Sequence, residues 1–297
     1  MEQEEGFIAG IDLGSSSIIG LVGRKNAEEV ISIMATESIP SDSCISHGII
    51  YNIDEAAAKV KQLIQKLENK TGKKIGKVYL SLSGMSLKSD EDIQIKKFET
   101  ETVVEYAEVE KLKNQAKNKR LSDLSVYSVF PCGIYLDGKL EEEAQEKTAT
   151  IIEARYQLIA GRPDIGSKLK KCFDKLKIDI AGRYIGAYAS EMALLDKDKT
   201  NAGCMLVDFG GGTTTLSVYK DGFLRYLATI PLGGKAITKD IQAFGFSEKD
   251  AEDFKIRYGR VGKKTGAEPQ NVDSAIKNMR EFNRIIQLRQ EEIILNV

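Results

Sequence analysis

Two stretches of the chain share an uncommon pattern, in which an apolar strand ends in an aspartate, turns on small residues and returns as a second strand. They read AGIDLGSSSIIGLVG at residues 9–23 and LVDFGGGTTTLSVYKDG at residues 206–222. Asp12 and Asp208 occupy matching positions in the two units. Similar units in the two halves of a chain predict two similar subdomains that face one another across a cleft.

Both turns are suited to holding an anion. Glycine lets the backbone approach a ligand closely, and successive N–H groups in such turns form anion-binding nests. Two turns that face each other are therefore predicted to grip a triphosphate from opposite sides. The residues that would supply backbone and hydroxyl donors are Gly14, Ser15, Ser16, Gly210, Gly211, Gly212, Thr213 and Thr214.

The two aspartates would repel a phosphate unless a cation lay between them. Mg²⁺ keeps several of its waters and takes few carboxylates, so we expect Asp12 and Asp208 to hold Mg²⁺ directly or through water. For one turn alone, a tight hairpin whose aspartate bonds its own backbone is the better interpretation. The same offset in both units favours the phosphate site.

The composition and the motifs exclude several classes of function. A formal net charge of −1 argues against binding of nucleic acid by bulk electrostatics. His47 is the only histidine, which excludes a zinc constellation and disfavours Ser-His-Asp catalysis. Neither glycine turn is a Walker loop or a dinucleotide fingerprint. The four cysteines lie far apart, which predicts reduced thiols in a cytoplasmic protein: Cys44, Cys132, Cys172 and Cys204.

Local signals predict the order of the elements. An opening meander is expected at 7–11, 17–23 and 28–39, followed by a helix at 52–72 with Asp54 in the N-cap position. Residues 86–160 change character and are predicted to form an inserted α+β module. A buried helix of small residues is predicted at 186–197. The acidic first five residues and the short apolar runs predict neither a signal peptide nor a membrane span.

The glycine turns resemble the two phosphate motifs of the actin, Hsp70 and sugar-kinase superfamily. Within it, the chain most resembles FtsA, the bacterial actin-like cell-division protein. Three further stretches are similar to that family: ISHGIIYNIDEAAAKVKQLI at 45–64, KVYLSLSG at 77–84, and IPLGGKAITKDI at 230–241 followed by AEDFKIRYG at 251–259.

The resemblance implies an α/β, actin-like (ribonuclease H-like) fold of two lobes, with an inserted α+β subdomain and an incomplete second lobe. It implies ATP and Mg²⁺ between the lobes, with Gly233 and Gly234 added to the binding residues. The implied subdomains are residues 1–85 with 161–195, the insertion 86–160, the second phosphate unit 196–235, and a partial fourth subdomain 236–297.

The family's function implies a cytoskeletal adaptor that tethers FtsZ to the inner face of the cytoplasmic membrane and forms filaments of its own. Membrane contact would come through a C-terminal helix that this sequence does not contain. The FtsZ tail is expected to dock on residues 236–297, where Arg289 and Glu292 lie beside an apolar stripe. An acidic and apolar peptide would suit an arginine there.

Three departures qualify what the resemblance implies. Thr215 stands where the superfamily's second motif has an aspartate, and Ile185 or Gly186 where actin and Hsp70 orient the attacking water. The nearby Glu191 is expected to pack or to cap. The glycine pair that cradles adenosine would follow Val297. We therefore expect weak or absent binding of ATP and Mg²⁺, at most a weak ATPase, and no assigned catalytic residue.

Two other functions stay open at this point. A sugar kinase of the same superfamily would need a catalytic aspartate aimed at a substrate hydroxyl, and no additional aspartate stands out in a substrate loop. A pilus-assembly adaptor with the same arrangement of subdomains is the second alternative.

Overall fold

Fourteen strands and seven helices lie within residues 6–259, the part of the chain that the computed structural model describes. The strands are β1 (Phe7–Leu13), β2 (Ser17–Lys25), β3 (Ile31–Pro40), β4 (Ile45–Ser46), β5 (Ile49–Ile50), β6 (Lys77–Leu82), β7 (Lys88–Val103), β8 (Ser125–Leu136), β9 (Lys139–Glu141), β10 (Thr148–Gly161), β11 (Asp179–Ile185), β12 (Cys204–Phe209), β13 (Thr214–Lys220) and β14 (Phe223–Ile230). The helices are α1 (Ile53–Thr71), α2 (Tyr106–Lys117), α3 (Asp164–Leu176), α4 (Gly186–Leu194), α5 (Lys197–Ala202), α6 (Gly234–Gln242) and α7 (Glu248–Tyr258).

The first sheet has the strand order β11-β6-β1-β2-β3. β1, β2 and β3 form the antiparallel meander that the sequence predicts, and β6 and β11 extend the sheet in parallel on the other side of β1. Phe7, Ala9 and Ile11 are buried along β1, because alternate residues of a strand point to the same face of the sheet. One face of this sheet therefore carries the main core.

α1 packs on that buried face. Val60, Leu63 and Leu67 lie on one stripe of the helix and are fully buried. Gly20 of β2 permits the close approach, since a Cβ there would lie 2.8 Å from a methyl group of Leu67. The helix ends at Gly72, whose φ of 66° is left-handed, as the sequence predicts for a glycine C-cap.

The prediction that Asp54 caps α1 is wrong. Asn52 is the cap, because its side-chain oxygen accepts a hydrogen bond of 3.1 Å from the N–H of Glu55. Asp54 lies in the first turn and forms an ion pair with Lys175 of α3. Its charge there also complements the positive end of the helix dipole. Both residue types cap helices well, so the local sequence did not decide between them.

The second sheet has the strand order β12-β13-β14-β7-β10-β8-β9. β7, β8 and β10 are long antiparallel strands, and α2 packs on them to form a second core. β12, β13 and β14 form another meander, which joins β7 at the pair Ala228–Lys88. The strands of residues 88–161 and the second glycine-turn unit therefore share one sheet. No sequence signal pointed to this junction.

The prediction that α4 is a buried helix is wrong for most of its surface. Ala187 is its one buried residue, while Met192 and Leu194 are 66% and 65% exposed. Tyr188 does pack, with its ring centroid 4.5 Å from that of Phe130. Within residues 6–259 no helix or strand covers the other faces of α4. The small apolar residues of this helix were therefore not a sign of burial.

α6 and α7 close the described part of the chain and share a small core around Ile241 and Ala251. No helix within residues 6–259 is long and apolar enough to cross a membrane. All four cysteines are free, as predicted.

Candidate phosphate site

The two glycine-turn units have the same local structure. We call residues 14–17 the first loop and residues 210–213 the second loop; each joins two antiparallel strands. The N–H of Gly14 donates to the carbonyl of Ser17 at 3.0 Å, and the N–H of Gly210 donates to the carbonyl of Thr213 at 2.8 Å. The pattern repeated in the sequence is therefore repeated in the backbone.

The structure brings the two loops into contact. A Cβ on Gly211 would overlap the hydroxyl of Ser16, and a Cβ on Gly212 would lie 2.7 Å from the hydroxyl of Ser15. Only glycine fits at these two positions while the loops stay together, because a larger residue would push them apart. The loops therefore meet tip to tip, with serine hydroxyls on one side and bare backbone on the other.

The two aspartates lie close enough to repel each other. Burial raises the pKa of Asp12, the negative charge of Asp208 raises it further, and a hydrogen bond with Ser81 partly opposes both effects. Asp208 itself is exposed at the end of β12. Within residues 6–259 no group of three or more metal-binding side chains occurs. A pair of carboxylates does suit Mg²⁺, which keeps most of its waters.

Gly233 and Gly234, which the resemblance adds to the binding residues, lie behind the second loop. The N–H of Gly234 donates to the carbonyl of Gly210 at 3.0 Å, and the N–H of Lys235 donates to the carbonyl of Gly211 at 2.8 Å. A Cβ on Gly233 would run into the Gly210 carbonyl. The start of α6 therefore fixes the second loop through its backbone.

The threonines of the second unit are partly committed to the fold. The buried hydroxyl of Thr214 donates to the carbonyl of Leu232 at 2.8 Å. Thr215, which the resemblance aligns with an aspartate of the superfamily's second motif, is paired with Asp208 across the β12–β13 ladder. Its hydroxyl lies 3.2 Å from that of Thr229 on β14. Thr213 is the one threonine that lies within the second loop itself.

The start of α4 contains the positions that the resemblance aligns with the water-orienting side chain of actin and Hsp70. A Cβ on Gly186 would lie 2.9 Å from the hydroxyl of Ser81, the same residue that bonds Asp12. Glu191 is half-buried, and burial raises its pKa. One of its carboxylate oxygens is buried without a hydrogen-bond partner in the described structure. Of the two roles expected for Glu191, packing or capping, its burial favours packing.

Two features near the loops were not found from the sequence. The Lys255 ammonium lies 3.2 Å from the Gly234 carbonyl, 3.0 Å from the Thr238 hydroxyl and 2.6 Å from Glu252. The sequence signal for this group is a glutamate and a lysine three residues apart on α7, a spacing that makes two side chains neighbours on a helix. The second feature is the small hairpin β4–β5, whose N–H at Gly48 donates to the Ser15 hydroxyl at 3.0 Å.

Arg289 and Glu292, the contacts expected for an FtsZ tail, lie outside the described residues.

A sequence profile of the family described as "Cell division protein FtsA" matches residues 205–289. The cell division protein FtsA of Porphyromonas gingivalis is 30% identical over all of this chain and 64% of its own length. The FtsA proteins of Neisseria meningitidis and Escherichia coli K12 are 28% and 27% identical, over 87% and 85% of this chain. They are covered over 63% and 60% of their lengths. The chain thus spans less than two thirds of these relatives.

Solved structures with the same fold come from several systems. A PilM–PilN type IV pilus biogenesis complex matches with a TM-score of 0.66 at 14% identity, over 97% of this chain and 74% of its own. MreB5 of Spiroplasma citri bound to ADP matches with a TM-score of 0.50 at 13% identity, over 98% and 77%. At such identities the likeness shows the fold alone, which is the predicted actin-like α/β class. The chain is therefore a homologue of the FtsA cell division proteins, built on an actin-like fold.

Proposed function

We propose that this chain is the phosphate-gripping part of a nucleotide-binding, actin-like adaptor of cell division, which links FtsZ filaments to the cytoplasmic membrane. Nucleotide binding is supported by one observation, the contact between two equivalent loops that each follow an aspartate near the end of a strand. The adaptor function is supported by the sequence relatives, which are cell division proteins.

In this proposal the phosphates lie between the loops. Backbone N–H groups and the hydroxyls of Ser15 and Ser16 would bind them from the first lobe, and Gly211 and Gly212 from the second, as in other nests of main-chain donors. Asp12 and Asp208 would hold Mg²⁺, which neutralises phosphate charge when it is bound. Because the loop tips touch, the lobes must separate slightly to admit a phosphate.

The division adaptor is favoured over the two alternatives. The PilM likeness is one of fold at low sequence identity, whereas the FtsA relatives match in sequence over most or all of the chain. A kinase would need a free aspartate beside the loops, and the carboxylate of Asp42, which lies near them in the chain segment after β3, is paired with Lys59. Self-association into filaments, the subdomain boundaries given above and contact with the inner face of the membrane belong to the same proposal.

Co-sedimentation with FtsZ filaments tests the adaptor function. We expect the chain to pellet with FtsZ polymers and to stay in solution without them. An Arg289→Glu variant should lose this binding, because an acidic peptide would meet a like charge. Arg120→Glu, at an exposed residue outside 236–297, is the matched control and should still pellet. Wild-type protein that stays in solution with FtsZ polymers would contradict the adaptor function, and an Arg289→Glu variant that pellets fully would exclude this residue from the contact.

A further inference from the structure

The hairpin β4–β5 presents a two-residue turn, His47–Gly48, next to the first loop. Ser46 pairs with Ile49, and both turn residues have positive φ, 50° at His47 and 71° at Gly48. This is the signature of a type I′ turn, which favours glycine and asparagine and disfavours β-branched residues. The conformation of the turn is therefore set by these two positions.

The turn is held from behind by the segment that follows β6. The His47 carbonyl accepts a hydrogen bond of 3.0 Å from the N–H of Met85. A Cβ on Gly48 would lie 2.8 Å from the backbone nitrogen of Gly84. The turn thus has little freedom to move backwards, away from the loops.

In front, the same turn contacts both loops. The Gly48 N–H donates to the hydroxyl of Ser15 in the first loop at 3.0 Å. The backbone nitrogen of His47 would lie 2.9 Å from a Cβ on Gly212 of the second loop. One turn therefore orients a hydroxyl of the first loop and touches the backbone of the second.

The residues just before the hairpin add two further links. The N–H of Ser41 donates to the Ser16 carbonyl of the first loop at 3.1 Å. The ammonium of Lys235, whose own N–H holds the second loop, lies 3.4 Å from the Asp42 carbonyl. Residues 41–48, which we call the strap, thus contact the first loop at two places, the second loop at one place and Lys235 of α6.

We propose that the His47–Gly48 turn is a positioning element of the phosphate site, which fixes the Ser15 hydroxyl and moves relative to Gly212 when a polyphosphate enters between the loops. The inference rests on the proposed nucleotide site and adds a third element to it. Its physical basis is that a phosphate must part the loops, and the turn is anchored to one lobe while it touches the other.

The single histidine makes the turn directly observable. Only His47 contributes imidazole C–H signals to the proton NMR spectrum. We expect these signals to shift during titration of the 297-residue chain with magnesium pyrophosphate and with MgATP. The shift should follow the same saturation curve as the backbone amide of Gly212. His47 signals that stay fixed while the Gly212 amide shifts would overturn the inference and leave the phosphate site intact.

Substitutions at one position separate turn geometry from side-chain chemistry. His47→Asn keeps a residue that tolerates positive φ, so pyrophosphate affinity should stay within about twofold of wild type. His47→Val disfavours the turn, and we expect the affinity to fall about tenfold, as for loss of one well-made hydrogen bond. Equal affinities of the two variants would contradict the positioning role.

A second pair of variants tests the link through Lys235 without touching the turn. Lys235→Ala should leave the fold unchanged and lower the shift of the His47 signals at saturation, because one link between α6 and the strap is lost. Lys239→Ala, exposed one turn further along α6, is the control and should change nothing. Identical His47 shifts in both variants would show that Lys235 does not couple the second loop to the strap.

If neither probe shifts the amide signals of Gly14 and Gly212 in wild-type protein, the proposed phosphate site is wrong, and the positioning role of the turn is wrong with it.

Discussion

Asp12 is a residue whose negative charge the fold disfavours in the absence of a cation. Its carboxylate is partly buried at the end of β1, and it faces the negative charge of Asp208 across the two lobes. Both effects raise its pKa, and only the hydrogen bond with Ser81 opposes them. Groups in such environments are frequent in functional sites, and a bound Mg²⁺ would remove the repulsion.

Asp12→Asn should therefore raise the melting temperature in the absence of Mg²⁺. The folded protein holds the Asp12 proton more tightly than the unfolded chain does, so the contribution of Asp12 to wild-type stability falls as the pH rises above about 4. The advantage of the variant should appear above that pH and vanish below it. Thermal unfolding followed by circular dichroism near pH 4 and near pH 7 measures this difference.

The exposed Asp179→Asn in β11 is the control and should show no such pH-dependent gain. A melting temperature of Asp12→Asn equal to or below that of wild type near pH 7 would contradict the like-charge pair.

Gly233 and Gly234 offer a matched pair of substitutions behind the second loop. Gly233→Ala should displace the loop, because the new Cβ meets the backbone carbonyl of Gly210, and we expect a loss of about 1–3 kcal/mol in stability. Gly234→Ala should be close to neutral, since the nearest atom to its Cβ is the end of the flexible Lys255 side chain at 3.4 Å. Urea unfolding of both variants tests this, and equal stabilities would exclude close packing at Gly233.

At the scale of elements, the sequence predicted the hairpins and the helix whose formation depends on residues close to one another in the chain. The two hairpins follow from apolar strands that flank short glycine and serine turns, and α1 follows from its apolar stripe and its terminal Gly72. The capping of α1 by Asn52 and the exposure of α4 did not follow, because they depend on competing caps and on neighbours distant in sequence. The strap was missed because its contacts with the loops and with α6 join residues distant in sequence, up to 193 residues apart for Asp42 and Lys235.

The stripe of α1 gives a direct test of the first core. Leu63 is fully buried against β2 near Gly20, so Leu63→Ala should cost about 2–5 kcal/mol of unfolding free energy. Gln65→Ala on the exposed side of the same helix should change stability by less than about 0.5 kcal/mol. Guanidinium unfolding curves of the two variants compare them, and a Leu63→Ala cost as small as that of Gln65→Ala would argue against this packing.

At the scale of the whole molecule, the sequence predicted two facing units but not how their sheets connect. The matched positions of Asp12 and Asp208 and the two loops could be located from the repeat alone, and the structure brings them together. The single bridge between Ala228 and Lys88, which joins β14 to the inserted strands, had no local signal. The group around Lys255 has a local signal only in the spacing of Glu252 and Lys255, and its contacts with α6 form only after folding.

Nucleotide affinity is a property of the whole molecule. Much of the burial of a nucleotide comes from its base and ribose, and the residues that we assign to the proposed site bind phosphate and Mg²⁺ only. We therefore expect calorimetry of the 297-residue chain with MgATP to give a dissociation constant weaker than about 10 μM. Tighter binding would show that residues within the chain already hold the adenosine.

The central claim is that the two loops form one phosphate site, and a titration with magnesium pyrophosphate tests it most directly. Backbone amide signals of Gly14, Ser15 and Ser16 should shift together with those of Gly211 and Gly212, and all five should fit one dissociation constant. Asp208→Ala should weaken that binding at both loops, because the bound cation serves both. Shifts confined to one loop, or two loops that saturate at different concentrations, would contradict a shared site.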